Sequence, residues 1–166
     1  TILTLVCTMP LAAQSVIYKD DTDFPRVTKL NPMNDRFLAK QRARVDAITR
    51  RHFGRQLASS STNKRLLQRI IDEKIVPASA KLDLQGMGVV LGDLFVSANQ
   101  NLAWKLYEDE LGISHAVCID ASKHCIFPAT MISRRIEGGA PVDIERLYKK
   151  GLDSVREYLP RLPYAN

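Results

Sequence analysis

Several common signatures of enzymes are missing from this sequence of 166 residues. It contains no G-x-S-x-G, no H-E-x-x-H and no closely spaced set of cysteine and histidine ligands, which excludes the usual serine-hydrolase and zinc-protease patterns. Glycine and proline are scarce, with 8 residues each, which excludes a collagen-like or low-complexity chain. This length, with 45% hydrophobic and 25% charged residues, predicts one globular domain.

Charge is absent from residues 1–17, where an apolar run begins at Ile2 and small residues follow Pro10. About a dozen apolar positions that end in small residues are typical of a secretory signal peptide and are too few to span a bilayer. We therefore expect residues 1–13 to be the remnant of a signal peptide cleaved after Ala13, and residues 14–34 to be an irregular lead-in. The alternative is a buried N-terminal strand.

Cysteine is scarce as well, and removal of Cys7 with the signal peptide would leave only Cys118 and Cys125. An even pair in an exported protein is more often a disulfide than two free thiols. Two apolar, β-branched segments flank the polar residues 120–123, which predicts a hairpin with Cys118 opposite Cys125. Directly opposed Cβ atoms lie about 4.5 to 5.5 Å apart, close to what a disulfide needs. The alternative is two small core residues that face each other.

Two histidines near these cysteines do not complete a metal site. Side chains alternate between the faces of a strand, so His115 is predicted on the opposite face from Cys118, and His124 on the opposite face from Cys125. Four ligands on two faces of a sheet cannot converge on one tetrahedral zinc ion. We therefore expect no metal, no cofactor and no catalytic residue here.

Three helices are predicted before the hairpin: Asp35 to Leu57, a second that ends near Lys74, and Asp83 to Asn99. The first has an apolar stripe with one polar interruption, and the third contains glycines that predict close packing against another element. The stripe comprises Leu38, Val45, Ile48 and His52, interrupted by Gln41, and the glycines are Gly86, Gly88 and Gly92.

Three antiparallel strands are predicted next, the first beginning at Trp104 and followed by an acidic turn over residues 108–110. A short helix follows Pro128, and a final helix opens at Asp143 with the spacing of a hydrophobic staple between Val142 and Leu147. The predicted fold is α+β: N-terminal helices, a three-stranded antiparallel β-meander, and C-terminal helices packed on one face. The single α+β domain is expected to cover residues 35–166.

The order of these features resembles a known family over the stretch from Leu84 to about Lys150. The matching features are the glycine-containing helix, the Trp104 strand, the Glu-Asp-Glu turn, Phe127-Pro128 with Met131 and Arg135, Gly138, and the Val142-Asp143-Ile144 helix start. This pattern resembles the bacterial domain of unknown function family 3806. The resemblance implies an α+β fold in a bacterial protein and brings no catalytic or cofactor residues with it.

Positive charge is concentrated in one part of the chain. Residues 36–75 contain eleven Lys or Arg and three Asp or Glu, a local charge of +8 in a chain of net charge +6. Five of these cations fall within about 100° of arc on the first predicted helix, beside its apolar stripe. We predict that they bind an acidic partner, the alternative being a solvated helix face. They are Arg36, Lys40, Arg44, Arg51 and Arg55.

Together these observations favour an uncharacterised exported bacterial protein, periplasmic or secreted, that acts as a non-enzymatic binding or interaction domain of the cell envelope. Its expected partner is an acidic protein or an anionic envelope polymer, with contact to a membrane surface but no integral span. Nucleic acid is not expected, because of export and because no aromatic residues interleave with the arginines. The alternative function is a small envelope hydrolase with an active site assembled from distant residues.

Overall fold

The computed structural model describes residues 24–58 and 60–160, so the predicted signal peptide and its cleavage site lie outside the described residues. The described chain is mixed helix and sheet, in agreement with the predicted α+β class. Its elements are β1 (Arg26–Lys29), α1 (Pro32–Phe53), α2 (Ser60–Asp72), α3 (Lys81–Ala98), β2 (Leu102–Asp109), β3 (Gly112–Ile119), β4 (Cys125–Ile126), α4 (Pro128–Met131), α5 (Ser133–Glu137), α6 (Ile144–Val155) and a 3-10 turn (Arg156–Tyr158).

The sheet has four strands in the described chain, in the order β1-β2-β3-β4, with every neighbouring pair antiparallel. The prediction of three strands was therefore wrong. The additional strand is β1, which lies inside the segment predicted to be irregular and pairs Val27 with Tyr107. A strand of four residues carries too little alternation to be recognised, and it forms because the outer edge of β2 supplies hydrogen-bonding partners.

Helix α1 begins and ends earlier than predicted. Its N-cap is Asn31, whose side chain accepts a hydrogen bond from the Asn34 amide, and it ends where Gly54 adopts a left-handed conformation with φ of 61°. Its buried residues are Leu38, Gln41, Val45 and Thr49, so the polar interruption of the predicted stripe is itself buried, whereas His52 is exposed.

Helix α3 is the centre of the fold, packing against the other helices as well as β2 and β3. Nearly every residue from Leu84 to Phe95 is buried, so this helix is enclosed on all sides and not on one face only. Its glycines confirm the predicted close packing. A Cβ on Gly86 would lie 3.0 Å from the Gln41 carbonyl of α1, and one on Gly88 would lie 2.6 Å from the Pro128 carbonyl.

The C-terminal helices differ from the predicted layer on one face of the sheet. The helix expected after Pro128 is divided into α4 and α5, and α6 packs against α2, α3 and β4 while α3 covers β2 and β3. The start of α6 agrees with the prediction. Asp143 accepts a hydrogen bond from the Arg146 amide, and the staple residues Val142 and Leu147 are both buried.

Candidate functional site

The predicted disulfide is present. Cys118 of β3 and Cys125 of β4 are register partners with a Cα–Cα distance of 4.0 Å, and their sulfur atoms are bonded. Among residues 24–58 and 60–160, no group of three or more His, Cys, Asp or Glu side chains is arranged to hold a metal ion. The bridge clamps β4 to the end of β3 and leaves the rest of β3 without a partner on that side.

The structure divides the five basic residues predicted to bind a partner. Arg36, Lys40 and Arg51 are exposed on α1. Arg44 is half-buried and its Nη1 lies 3.2 Å from Oδ1 of Asp83 on α3, because this side of α1 packs against α3. Arg55 lies beyond Gly54, outside the helix. The five cations therefore do not form one continuous stripe.

A larger candidate site lies between β3, α3 and α4. It is a groove with a cavity volume of 490 Å³. Its apolar residues include Phe37 from α1, Val89 from α3 and Phe127 from the loop before α4, with Ile113 at the tip of the β2–β3 hairpin. The polar residues that line it are Gln85, Asp109, Ser114, His115, Thr130 and Arg134. A mixed lining of this kind is typical of a binding site.

Large apolar side chains are exposed around this groove. Leu111 is 97% exposed and Ile113 is 67% exposed, and the aromatic rings of Phe37 and Phe127 are also on the surface. Leu82 is exposed one turn before Gln85 on α3. Clustered apolar residues on a surface are characteristic of interaction sites, whereas isolated ones need no explanation.

His115 is held rigidly inside the groove. Its ring stacks on Phe37 with centroids 4.9 Å apart, and its Nε2 lies 2.8 Å from Oδ1 of Asn34. Since a carbonyl oxygen only accepts, Nε2 donates and the Nδ1 of the neutral ring is an acceptor. Burial lowers the pKa of His115 below its usual 6.5, which favours that neutral form.

One edge of β3 faces the groove. Within the described chain, β4 pairs only with Val117 and Cys118, so residues 112–116 have a strand partner on the β2 side alone. The amide of Ile119 donates to the His124 carbonyl on the β4 side. Because backbone groups point to alternate sides along a strand, Ile113 and His115 direct theirs to this same open side.

Sequence reasoning missed the groove because its residues come from α1, α3, the hairpin tip and α4, which no local pattern relates. One signal was present: Leu111 and Ile113 are large apolar residues directly after an acidic turn, where polar residues are expected. No helix within residues 24–58 and 60–160 combines the length and apolarity needed to cross a membrane.

Comparison with known families decides the classification. The family model of the domain of unknown function DUF3806 matches residues 63–148, which is more than half of the chain. The chain belongs to this family. The DUF3806 match extends from α2 into α6, so it includes the hairpin, α4 and the disulfide but not β1 or α1. The resemblance seen in the sequence is therefore confirmed.

The fold also resembles a solved structure. A crystal structure at 1.50 Å resolution of a protein from Bacteroides thetaiotaomicron VPI-5482 superimposes with a TM-score of 0.70 at 12% sequence identity. The match covers 78% of this chain and 47% of that one, so the DUF3806 chain spans about half the length of this structural relative. At this identity the likeness concerns the fold. No curated protein matches the sequence.

Proposed function

We propose that this DUF3806 chain is a non-enzymatic binding domain of an exported bacterial protein, periplasmic or secreted, and that it binds an acidic, extended peptide segment of a partner protein. The observation that carries the proposal is the open edge of β3 beside the apolar groove. Export is supported by the Cys118–Cys125 disulfide, because such bonds persist in oxidising compartments.

The backbone of β3 supplies the first part of recognition. An extended peptide aligned with residues 112–116 would exchange main-chain hydrogen bonds with Ile113 and His115 and become an additional strand. Exposed edges of this kind pair readily with another chain unless they are covered or charged. This mode requires an extended backbone and is independent of the peptide's sequence.

The groove supplies the second part. Alternate side chains of a bound strand point to one face, where they would meet Phe37, Ile113 and Phe127. Aromatic residues in such pockets commonly provide most of the binding energy. The bound segment is therefore apolar at every second position.

Charge favours an acidic segment. Arg134 lines the groove and forms no ion pair with any residue in the described part of the chain, and Arg36 and Lys40 are exposed on either side of Phe37 in sequence. Three cations beside one groove attract carboxylates and accelerate association at low ionic strength. An acidic partner is the class expected from the sequence.

The test is selection from a displayed library of random decapeptides with the oxidised protein. We expect enrichment of peptides with alternating apolar residues and at least one carboxylate. Ile113→Pro removes an amide that points away from β2, so the hairpin is retained while pairing at the open edge is lost. Tyr158→Ser, which alters an exposed aromatic outside the groove, is the matched control. Selected peptides should bind the control as well as the wild type and bind Ile113→Pro about tenfold or more weakly.

Two further measurements protect the interpretation. Phe127→Ala, which leaves β3 intact, replaces Ile113→Pro if that variant does not melt cooperatively. Peptides that bind every variant equally, or no enrichment at all, would overturn the proposal. Cleavage of the selected peptides by the wild type would instead favour the alternative, a small envelope hydrolase.

A further inference from the structure

A second, separate surface carries three arginines around one small cavity. The cavity has a volume of 320 Å³ and lies where the connection after α1 meets α2. It is lined by Arg55, Thr62, Arg65, Leu66 and Arg69. The groove beside β3 shares none of these residues.

The local fold explains why the guanidinium groups converge. Arg65 and Arg69 are four residues apart on α2 and therefore lie on the same side of the helix. The left-handed Gly54 ends α1 and turns the chain so that Arg55 faces α2. Residue Leu66 supplies an apolar wall.

One of the three arginines is held in place before any ligand arrives. The guanidinium of Arg69 lies over the Phe53 ring, 4.0 Å from its centroid, and its Nε and Nη2 both donate to Oε1 of Glu73. These contacts leave its Nη1 available. An ordered donor loses less conformational entropy when it binds an anion.

The charge at this place is not balanced by the protein. Arg55 and Arg65 form no ion pair with any residue among 24–58 and 60–160, and Glu73 is the one carboxylate bound to the cluster there. Like charges four residues apart on a helix destabilise it. Three cations against one anion, in a concave site, lower their mutual repulsion by binding an anion.

We infer that the arginine pocket formed by Arg55, Arg65 and Arg69 is a binding site for a phosphate group. Guanidinium groups match the geometry of phosphate oxygens and form paired, charge-assisted hydrogen bonds with them. Three forks around one cavity fit an anion with several oxygen atoms better than chloride. The N-terminal end of α2, at Ser60–Thr62, adds positive potential on the same side.

The phosphate can be a free anion or part of a lipid headgroup, and the two sources are distinguished by the probe. Inorganic phosphate is titrated calorimetrically into the folded protein at constant ionic strength, with chloride as the balancing anion. In parallel, the protein is sedimented with phosphatidylcholine vesicles that contain phosphatidylglycerol and with vesicles of phosphatidylcholine alone. Binding of inorganic phosphate identifies a free-anion site, and binding only to the anionic vesicles identifies a headgroup site.

The decisive comparison uses Arg55→Gln and Arg65→Gln. Both residues are exposed and without ion-pair partners in the described chain, so both variants are expected to melt like the wild type. Each should weaken binding of the active probe about tenfold. The matched control is Arg36→Gln, which removes an exposed arginine near the other end of α1 and should change binding less than twofold.

Two results would overturn the inference. One is the absence of binding to both probes. The other is a loss of affinity that is equal in Arg36→Gln and in the two pocket variants, which would show general charge attraction without a site. A failure of the decapeptide selection leaves this result unaffected, because the arginine pocket and the groove share no residue.

Discussion

Arg44 of α1 donates to Asp83 of α3 across the interface between these two helices, with Nη1 and Oδ1 3.2 Å apart. Both side chains are about one-third exposed, at 34% and 30%. The pair joins the long N-terminal helix to the central helix of the fold. A residue that the sequence assigns to a partner-binding stripe thus contributes to the structure of the domain.

This contact leads to a first prediction, that neighbouring arginines of α1 differ in their effect on stability. Arg44→Gln should reduce the free energy of unfolding by about 1 kcal/mol, because it leaves the half-buried Asp83 carboxylate without its partner. Arg51→Gln should change it by less than about 0.5 kcal/mol, since Arg51 is exposed. Urea denaturation of both variants measures the difference, and equal stabilities would show that the ion pair contributes nothing.

The disulfide provides the second prediction. Cys118 and Cys125 are separated by 7 positions, and closing so short a loop stabilises the folded state by about 2.5 kcal/mol in the chain-entropy model. Reduction should lower the midpoint of urea denaturation without unfolding the helices at low urea. Circular dichroism with and without reductant checks both parts. The Cys118→Ser/Cys125→Ser variant should behave like the reduced protein and be insensitive to reductant.

Close packing against Trp104 provides the third prediction. A Cβ on Gly92 would lie 2.1 Å from Cζ2 of Trp104, whose indole nitrogen donates to Asp93 Oδ1 at 2.9 Å. Gly92→Ala must displace the indole, and overpacking of this kind costs about 1 to 3 kcal/mol. Gly138→Ala is the control, because its Cβ would meet only the Arg134 and Arg135 carbonyls, at 3.2 Å or more, and should change stability by less than about 1 kcal/mol. Thermal melts that rank the two variants the other way would contradict the packing argument.

The fourth prediction concerns pH. Burial lowers the pKa of His115 in the folded state below 6.5, so the unfolded chain takes up this proton at a higher pH than the folded chain does. The contribution to stability is therefore complete above pH 6.5 and is lost as the pH falls towards the folded-state pKa.

We expect the melting temperature of His115→Phe to decline less steeply than that of the wild type on acidification from pH 7. The phenylalanine ring keeps the stack on Phe37 and has no titrating group. His52→Gln, which changes an exposed histidine, should follow the wild type. Identical slopes for the wild type and His115→Phe would show that His115 does not titrate differently on unfolding.

The groove variants provide the fifth prediction. For a peptide obtained in the decapeptide selection, Arg36→Gln/Lys40→Gln should lower the association rate and flatten its dependence on salt, because exposed charges act chiefly on diffusional encounter. Arg51→Gln is the matched control, since it lies about 21 Å along α1 from Phe37. Stopped-flow measurements at several salt concentrations test the prediction, and equal salt dependence in all three proteins would contradict it.

Local patterns predicted part of this structure well. The register of Cys118 with Cys125 follows from the alternation of two short strands about a polar turn, and the Asp143 cap follows from the spacing of Val142 and Leu147. The glycines of α3 indicated close packing, which the structure confirms. Each of these features depends on residues less than a dozen positions apart.

What the sequence by itself determined is thus the α+β class, the disulfide hairpin, the family and the sites where helices begin. Tertiary structure alone decided that β1 joins the sheet, that Arg44 turns to Asp83, and that Arg55 meets Arg65 and Arg69. It also decided that Phe37, Ile113 and Phe127 surround one groove. The physical reason is range: caps, turns and strand alternation act between near neighbours in the chain. Ion pairs and grooves form between residues that only the packing of α3 against α1, α4 and the sheet brings together.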